Sequence, residues 1–245
     1  MGDVELHCKP SLKKMKSPTI IVGLPGTGLV GSVAASQIVE ALKMDFGGHI
    51  SSPDFAPLAA IHNYKPMPAA RIHYSSKDNI IVIISEMSIP ISSSTELANK
   101  IYQFSREVNA SSIISLGGIS LNEEQGEVYI VSSDGNLVKE ANKKRIAKPI
   151  KEGATTGVTG ILLTKGTLEN FPISTILAES SEEYLDPKAA AKVLKVLSKI
   201  TGLHISTARL DKEARELSRD LKESVRKARI SKKGPSADEG GTMYG

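Results

Sequence analysis

Residues Ile20 to Ser32, IIVGLPGTGLVGS, run from an apolar stretch into a glycine-rich turn, and Gly26-Thr27-Gly28-Leu29-Val30-Gly31 has the spacing G-x-G-x-x-G. In a dinucleotide site such glycines let helix N–H groups close on a pyrophosphate, and an acidic residue ending the second strand holds the ribose. Strand, turn and helix start are all present here. Asp54 lies at a tolerable distance, but MDFGGHISSPDF before it is not an apolar strand, so the ribose partner is missing. No Gly-Lys-Ser/Thr follows the glycines, which excludes a P-loop. The motif is better read as a structural strand-to-helix turn. Gly26 and Gly28 would then allow positive φ, and Gly31 would let the helix pack closely on the sheet.

Other chemistries find less support. His7, His49, His62, His73 and His204 are dispersed, with no H-x-x-x-H or C-x-x-C spacing for a metal, and His7 and Cys8 fall in an N-terminus expected to be unanchored. No G-x-S-x-G elbow offers a nucleophile. The serines of ISSSTE, Ile91 to Glu96, are expected to cap the helix that follows, with Glu96 in its first turn. Glu86 ends the most apolar run of the chain, at the strand end where α/β sheets hold ligands. With Gly26, Gly28, Ser115, Gly117, Gly118 and the Thr155-Thr156-Gly157 turn it could line a small-molecule pocket. That crevice carries the alternative function, an enzyme or a nucleoside- or nucleotide-binding protein. Glu182, Glu183 and Asp186 form an acidic patch, read as a solvated loop. No metal and no cofactor are expected.

The last residues differ in kind. Met243-Tyr244-Gly245 sets an apolar side chain and an aromatic ring beside a free carboxylate, after a Gly-, Ser-, Pro- and charge-rich stretch, Ser231 to Thr242. A tyrosine ring can bury in a groove and a terminal carboxylate can be captured by a lysine or a backbone nest. So short an anchor binds weakly alone and works best when several engage together.

The elements that position these groups follow from periodicity. Thr19–Gly23, Asn79–Ser85, Ser111–Leu116 and Ile173–Ala178 are apolar runs of buried-strand length, with shorter strands expected at Pro57–Ile61 and Arg71–Tyr74. Helical spacing spans Leu29–Met44, Thr95–Asn109 and Gly160–Asn170. A further helix begins at Asp186-Pro187, runs to about Ile200 and stops at Gly202. Val128–Ser132 followed by Asp134-Gly135 suggests a hairpin. Alternating strands and helices predict an α/β fold of three layers, helix–sheet–helix, with a mostly parallel, partly mixed sheet. The expected organisation is a flexible N-terminus (1–16), a core domain (17–205), a C-terminal helix (206–230) and a disordered tail (231–245). In that helix Leu210, Ala214, Leu217, Leu221 and Val225 form one narrow stripe, to pack on its own domain or on another subunit. Its basic end (Arg226, Lys227, Arg229, Lys232, Lys233) suits a helix C-terminus better than a nucleic-acid site.

Composition bounds the rest. The 245 residues carry a net charge of +4, too mild to imply a nucleic-acid partner. Tryptophan is absent, so Ile, Val, Leu and Ala must build the core. Cys8 is the sole cysteine, which suits a reducing cytoplasm, and no stretch approaches the roughly 18 to 20 apolar residues of a membrane span.

Three segments, PTIIVGLPGTGLVGSVAASQIVEAL, IIVIISEMSIP and SIISLGGI, together with the hydrophobic-Tyr-X tail, resemble the archaeal proteasome-assembly-chaperone homologue family over residues 17–205. The resemblance implies a non-enzymatic α/β homo-oligomer, larger than a dimer, that binds 20S proteasome α-subunits through its C-terminal tails. Tyr244 and the Gly245 carboxylate would sit between adjacent α-subunits, Met243 would pack alongside, and an α-subunit lysine would pair with the carboxylate. No ATPase motif is present, so any activation would be ATP-independent.

Overall fold

The computed structural model describes residues 3–62, 64–121, 126–181 and 185–219. The strands are β1 (Glu5–Cys8), β2 (Thr19–Gly23), β3 (Asp45–Ser51), β4 (Ala59–His62), β5 (Lys65–Pro68), β6 (Ala70–Ser75), β7 (Ile80–Ser85), β8 (Ser112–Ile119), β9 (Val128–Ser132), β10 (Lys148–Pro149) and β11 (Ile173–Glu179). The helices are α1 (Val30–Ala41), α2 (Ile91–Glu107), α3 (Gly135–Lys143), α4 (Gly157–Leu168) and α5 (Pro187–Thr201), with α6 over residues 208–219.

Nine strands form one mixed sheet in the order β1-β3-β6-β7-β2-β8-β11-β9-β10, and β4 and β5 make a separate hairpin. The middle four, β7-β2-β8-β11, are parallel; β6, β3 and β1 extend one side antiparallel, and β9 pairs antiparallel with β11 on the other. A parallel centre needs helices on both faces, and the chain supplies them. Val30, Ala34 and Ile38 of α1 and Val193, Leu194 and Leu197 of α5 pack on Ile21, Val82, Ile84, Ile114 and Ile176. Leu97, Ile101 and Phe104 of α2 and Val158 and Leu162 of α4 pack on Ile20, Ile81, Ile83, Ile113 and Ile173. Successive residues of β7 thus serve opposite cores, which is why this strand is apolar without a break. The three-layer expectation holds.

Helix α5 starts and stops as its residues dictate. The Asp186 carboxylate accepts the Ala189 N–H at 2.9 Å, Pro187 opens the first turn, and Gly202 closes the helix at φ 75°.

Several expectations need correction. Residues 5–14 are not loose: β1 pairs with β3, His7 stacks on His49 at 4.4 Å, and Leu12 is wholly buried in a short 3-10 turn. Segment 45–51 is not an apolar run, yet it forms a strand held between β1 and β6 by backbone pairing, which its side chains do not advertise. Asp134-Gly135 is no hairpin turn. Asp134 caps α3, accepting the Asn136 N–H at 2.9 Å, and the antiparallel partner of β9 is β11. The serines after Ile91 lie inside α2, which begins behind Pro90. Ser94 donates back to the Pro90 carbonyl at 3.1 Å, and Glu96 accepts the Val4 N–H at 2.8 Å.

Helix α6 starts on its own domain. Leu210 is wholly buried against the α1–α5 side, and Arg209 reaches Glu40 at 2.6 Å and Gln37 at 2.9 Å. Residues 220–245, which hold the rest of the expected helix, its basic end and the tail, lie outside the described residues.

The glycine turn divides by function. A Cβ on Gly31 would lie 2.4 Å from the Leu116 carbonyl oxygen and 2.6 Å from that of Leu24, so this position requires glycine for close approach of α1. Gly28 has φ 61°, and a Cβ there would meet the Ser180 hydroxyl at 1.9 Å. Gly26 is extended at φ −171°, not positive as expected, and its Cβ would meet nothing. Gly31→Ala is therefore expected to cost about 2–3 kcal/mol in urea unfolding, whereas Gly26→Ala stays within about 0.5 kcal/mol of the parent. Equal losses at both positions would contradict this division.

Candidate functional site

The chain leaves β2 toward the β7 side and leaves β8 toward β11, so the loops beyond these strands diverge. A crevice at the carboxyl ends of parallel strands follows from that divergence. It has two lobes. One, of about 630 Å³, is lined by Ile119, Leu121, Tyr129, Val131, Pro149 and Ile150, with Lys151 and Glu152 also on its wall. The other, of about 320 Å³, is richer in glycine and hydroxyl residues, Gly26, Gly117, Gly157, Ser88, Ser94 and Thr159, with Leu24, Pro25 and Ile89 beside them. Thr27, Gly118, Thr155, Thr156, Thr175 and Leu177 belong to both.

Of the pocket residues expected from sequence, Gly26, Gly117, Gly118 and the 155–157 turn come together here. Ser115 lies buried beneath, its hydroxyl 2.8 Å from that of Thr159. Gly28 is packed on Ser180 and does not line the crevice. Glu86 does not line it either. Met243, Tyr244 and Gly245 lie outside the described residues, as do Glu182 and Glu183. Thr27, Tyr129 and Thr175 were missed. Thr175 did leave a signal, a hydroxyl within the apolar run ISTILA.

Tyr129 is fixed by its surroundings. Its hydroxyl donates to the Glu179 carboxylate at 2.8 Å, and that hydrogen bond raises the phenol above its usual pKa. Glu179, nearly buried at the end of β11, also accepts the Glu127 N–H at 3.0 Å. Among the described residues no group of three or more His, Cys, Asp and Glu side chains could hold a metal ion. No helix there is long and apolar enough to cross a membrane.

Glu86 has another task. Its Oε1 accepts from Arg71 Nη2 at 2.6 Å, and His62 Nε2 stands 2.8 Å from the same oxygen and 2.9 Å from the guanidinium. One Nε2 can either donate to Glu86 or accept from Arg71, so the tautomer decides which contact is a hydrogen bond. Arg71 is buried, which makes Glu86 the counter-charge that keeps a guanidinium tolerable there. Glu86→Ala is expected to cost about 2–4 kcal/mol in denaturant unfolding, and a loss below about 1 kcal/mol would show the pair to be dispensable.

His73, beside Arg71 on β6, meets the edge of Phe46 at 5.9 Å. Burial first, and then the Arg71 charge, pushes its imidazole down to about 4. In the unfolded chain it titrates near 6.5. Between those values only the unfolded chain takes up the proton. Stability should thus fall as pH drops from about 6.5 to about 4, by up to about 3 kcal/mol. Urea midpoints across that window would follow it, and His73→Leu should flatten the slope contributed by this site.

In structure the chain is similar to Pyrococcus furiosus PbaA, described as an archaeal homologue of proteasome-assembly chaperone: 30% identity, 94% of each chain covered, TM-score 0.83. It is also similar to Pyrococcus furiosus PbaB, described as an archaeal proteasome activator, at 29% identity over 91% of this chain and 99% of that one, with a TM-score of 0.78. In sequence it is 30% identical over 210 residues to an uncharacterised protein of Methanocaldococcus jannaschii, covering 86% of both. Residues 20–225 match the PAC2 family, well over half of the sequence, and the chain belongs to that family.

Proposed function

We propose that this PAC2 protein is a non-enzymatic partner of the 20S proteasome, an assembly chaperone or an ATP-independent activator that docks on α-subunits through the C-terminal tails of a homo-oligomer. The observation that carries the proposal is the near-full-length likeness to both PbaA and PbaB, whose descriptions name proteasome assembly and proteasome activation.

The finer part, tail docking, draws its support from side-chain chemistry. Tyr244 offers a ring for a groove between subunits and a hydroxyl for a polar partner. Met243 adds apolar area, and the Gly245 carboxylate offers charge to an α-subunit lysine. A contact this small releases quickly from a single site. Several tails on one oligomer raise the effective concentration and hold the assembly together.

A pull-down with intact 20S particles tests this, comparing the full chain with a variant lacking Met243–Gly245, with Tyr244→Ala, and with a chain extended by one residue after Gly245. Each change is expected to abolish co-purification, with the oligomer mass in light scattering and the circular dichroism unchanged. Retained binding after truncation would overturn tail docking. No binding by the full chain, either to intact 20S particles or to free α-subunits, would overturn the proteasome role itself. Peptide hydrolysis by the bound 20S particle separates the branches, since an activator raises it and a pure assembly factor does not.

A further inference from the structure

The crevice has an unusual floor. Thr175 is wholly buried, borders both lobes, and its hydroxyl has no hydrogen-bond partner in the protein. It shares a face of β11 with Ile173, the face covered by α4, and is in register with Ser115 of β8 and Val131 of β9. The neighbouring Ser115 and Thr159 hydroxyls bond to each other at 2.8 Å, and neither bonds to Thr175. A buried hydroxyl left unpaired costs stability, and a strand that needed only to pack would carry valine there.

A second observation comes from the opposite wall. Helix α4 begins at Gly157 behind Thr156, and no side chain caps it. Gly157, Val158 and Thr159 of that first turn line the glycine-rich lobe, where the uncapped helix N-terminus carries partial positive charge. Thr27, Thr155 and Thr156 border the same space. Gly26, Gly117 and Gly118 present backbone instead of side chains there, so a ligand can approach closely. The adjoining lobe has a different character, with Tyr129, Val131, Pro149, Ile150 and Leu177 offering flat and aliphatic surface and Lys151 a cation beside the Glu152 carboxylate. Its volume of about 630 Å³ is within the range of small-molecule sites.

We infer that this crevice binds a small phosphate monoester carried on a flat ring. The phosphate sits at the N-terminus of α4 among the three threonine hydroxyls, the ring lies against Tyr129 and Leu177, and Thr175 supplies a hydrogen bond from the floor. The site binds rather than transforms, since no step is asked of these residues beyond hydrogen bonding and charge. It stands apart from proteasome docking and is tested on the protein alone.

The probe is adenosine monophosphate, titrated by calorimetry into the full chain in a buffer free of phosphate, with adenosine and inorganic phosphate as separate arms. Two variants report on the site. Gly26→Val adds a branched side chain in open space at a residue that lines the polar lobe, on an extended backbone, and is chosen to obstruct that lobe without a clash. Thr175→Val keeps the shape and removes the orphan hydroxyl. The expected result is saturable binding of the monophosphate at millimolar concentration or below, with adenosine at least about tenfold weaker. Gly26→Val should abolish binding at an unchanged melting temperature. Thr175→Val should weaken it about tenfold while melting at or above the parent temperature. Failure of the monophosphate to bind overturns the inference, as does equal binding of adenosine, or binding unaffected by Thr175→Val.

Discussion

The close approach of α1 to the parallel strands is the constraint on which the carboxyl edge of this sheet depends. Helix and strand backbones come within contact distance where Gly31 meets the Leu116 carbonyl, and a Cβ on Gly118 of β8 would lie 2.3 Å from the Thr27 carbonyl oxygen. Side chains at either place would lift the helix and the turn off the sheet. Because they do not, the end of β8 runs directly beneath the turn after β2. The wall of the smaller lobe at Gly26, Gly117 and Gly118 is then backbone rather than side chain.

That geometry gives the G-x-G-x-x-G spacing a meaning its chemistry lacks. In a dinucleotide site the same three glycines serve a turn, a ligand and a helix contact. Here Gly28 serves the turn and Gly31 the helix contact, and Gly26 alone borders open space. The acidic partner expected of the second strand has no counterpart, because the strand following α1 is β3, which lies beyond β6 on the antiparallel side of the sheet. The motif thus marks a tight strand-to-helix junction whose remaining freedom is a single glycine at the crevice mouth.

What could be read from sequence, and what could not, follows the same physics. The central strands were legible because burial on both faces forces an unbroken apolar run, as in Ile80–Ser85. Helix α5 was legible because its stop and start signals are local to Asp186, Pro187 and Gly202. Strands β1 and β3 were not, since their pairing is a matter of backbone hydrogen bonds between segments some forty residues apart. Helix α3 was hidden because Asp-Gly serves a hairpin turn and a helix cap equally well, and only the partner of β9 decides between them. The crevice was half legible: Gly26, Gly117, Gly118 and the Thr155-Thr156-Gly157 turn stand out in the sequence, but Thr27, Tyr129 and the 150–154 wall are brought to them by the order of strands. Glu86 misled for a related reason. Its place after β7 suggested the crevice, while its side chain is claimed by Arg71 across the β6–β7 pair.

The Arg71–Glu86–His62 cluster has a consequence beyond the charge it balances. Strands β4 and β5 form a hairpin that, among the described residues, pairs with no other strand, and Ile61 is 67% exposed and Tyr64 fully exposed. An isolated two-stranded hairpin is marginal in water, and this one leaves the apolar area of Ile61 and Tyr64 unburied. His62 is its last β4 residue, and the contacts to Glu86 and Arg71 tie that point to the end of the sheet. The tie is polar and partly open to solvent on the hairpin side, so its strength depends on Arg71 being buried rather than on the hairpin's packing. A charge placed inside the sheet thereby holds an apolar loop outside it, and the order of that loop is inherited from the core rather than generated by its own sequence.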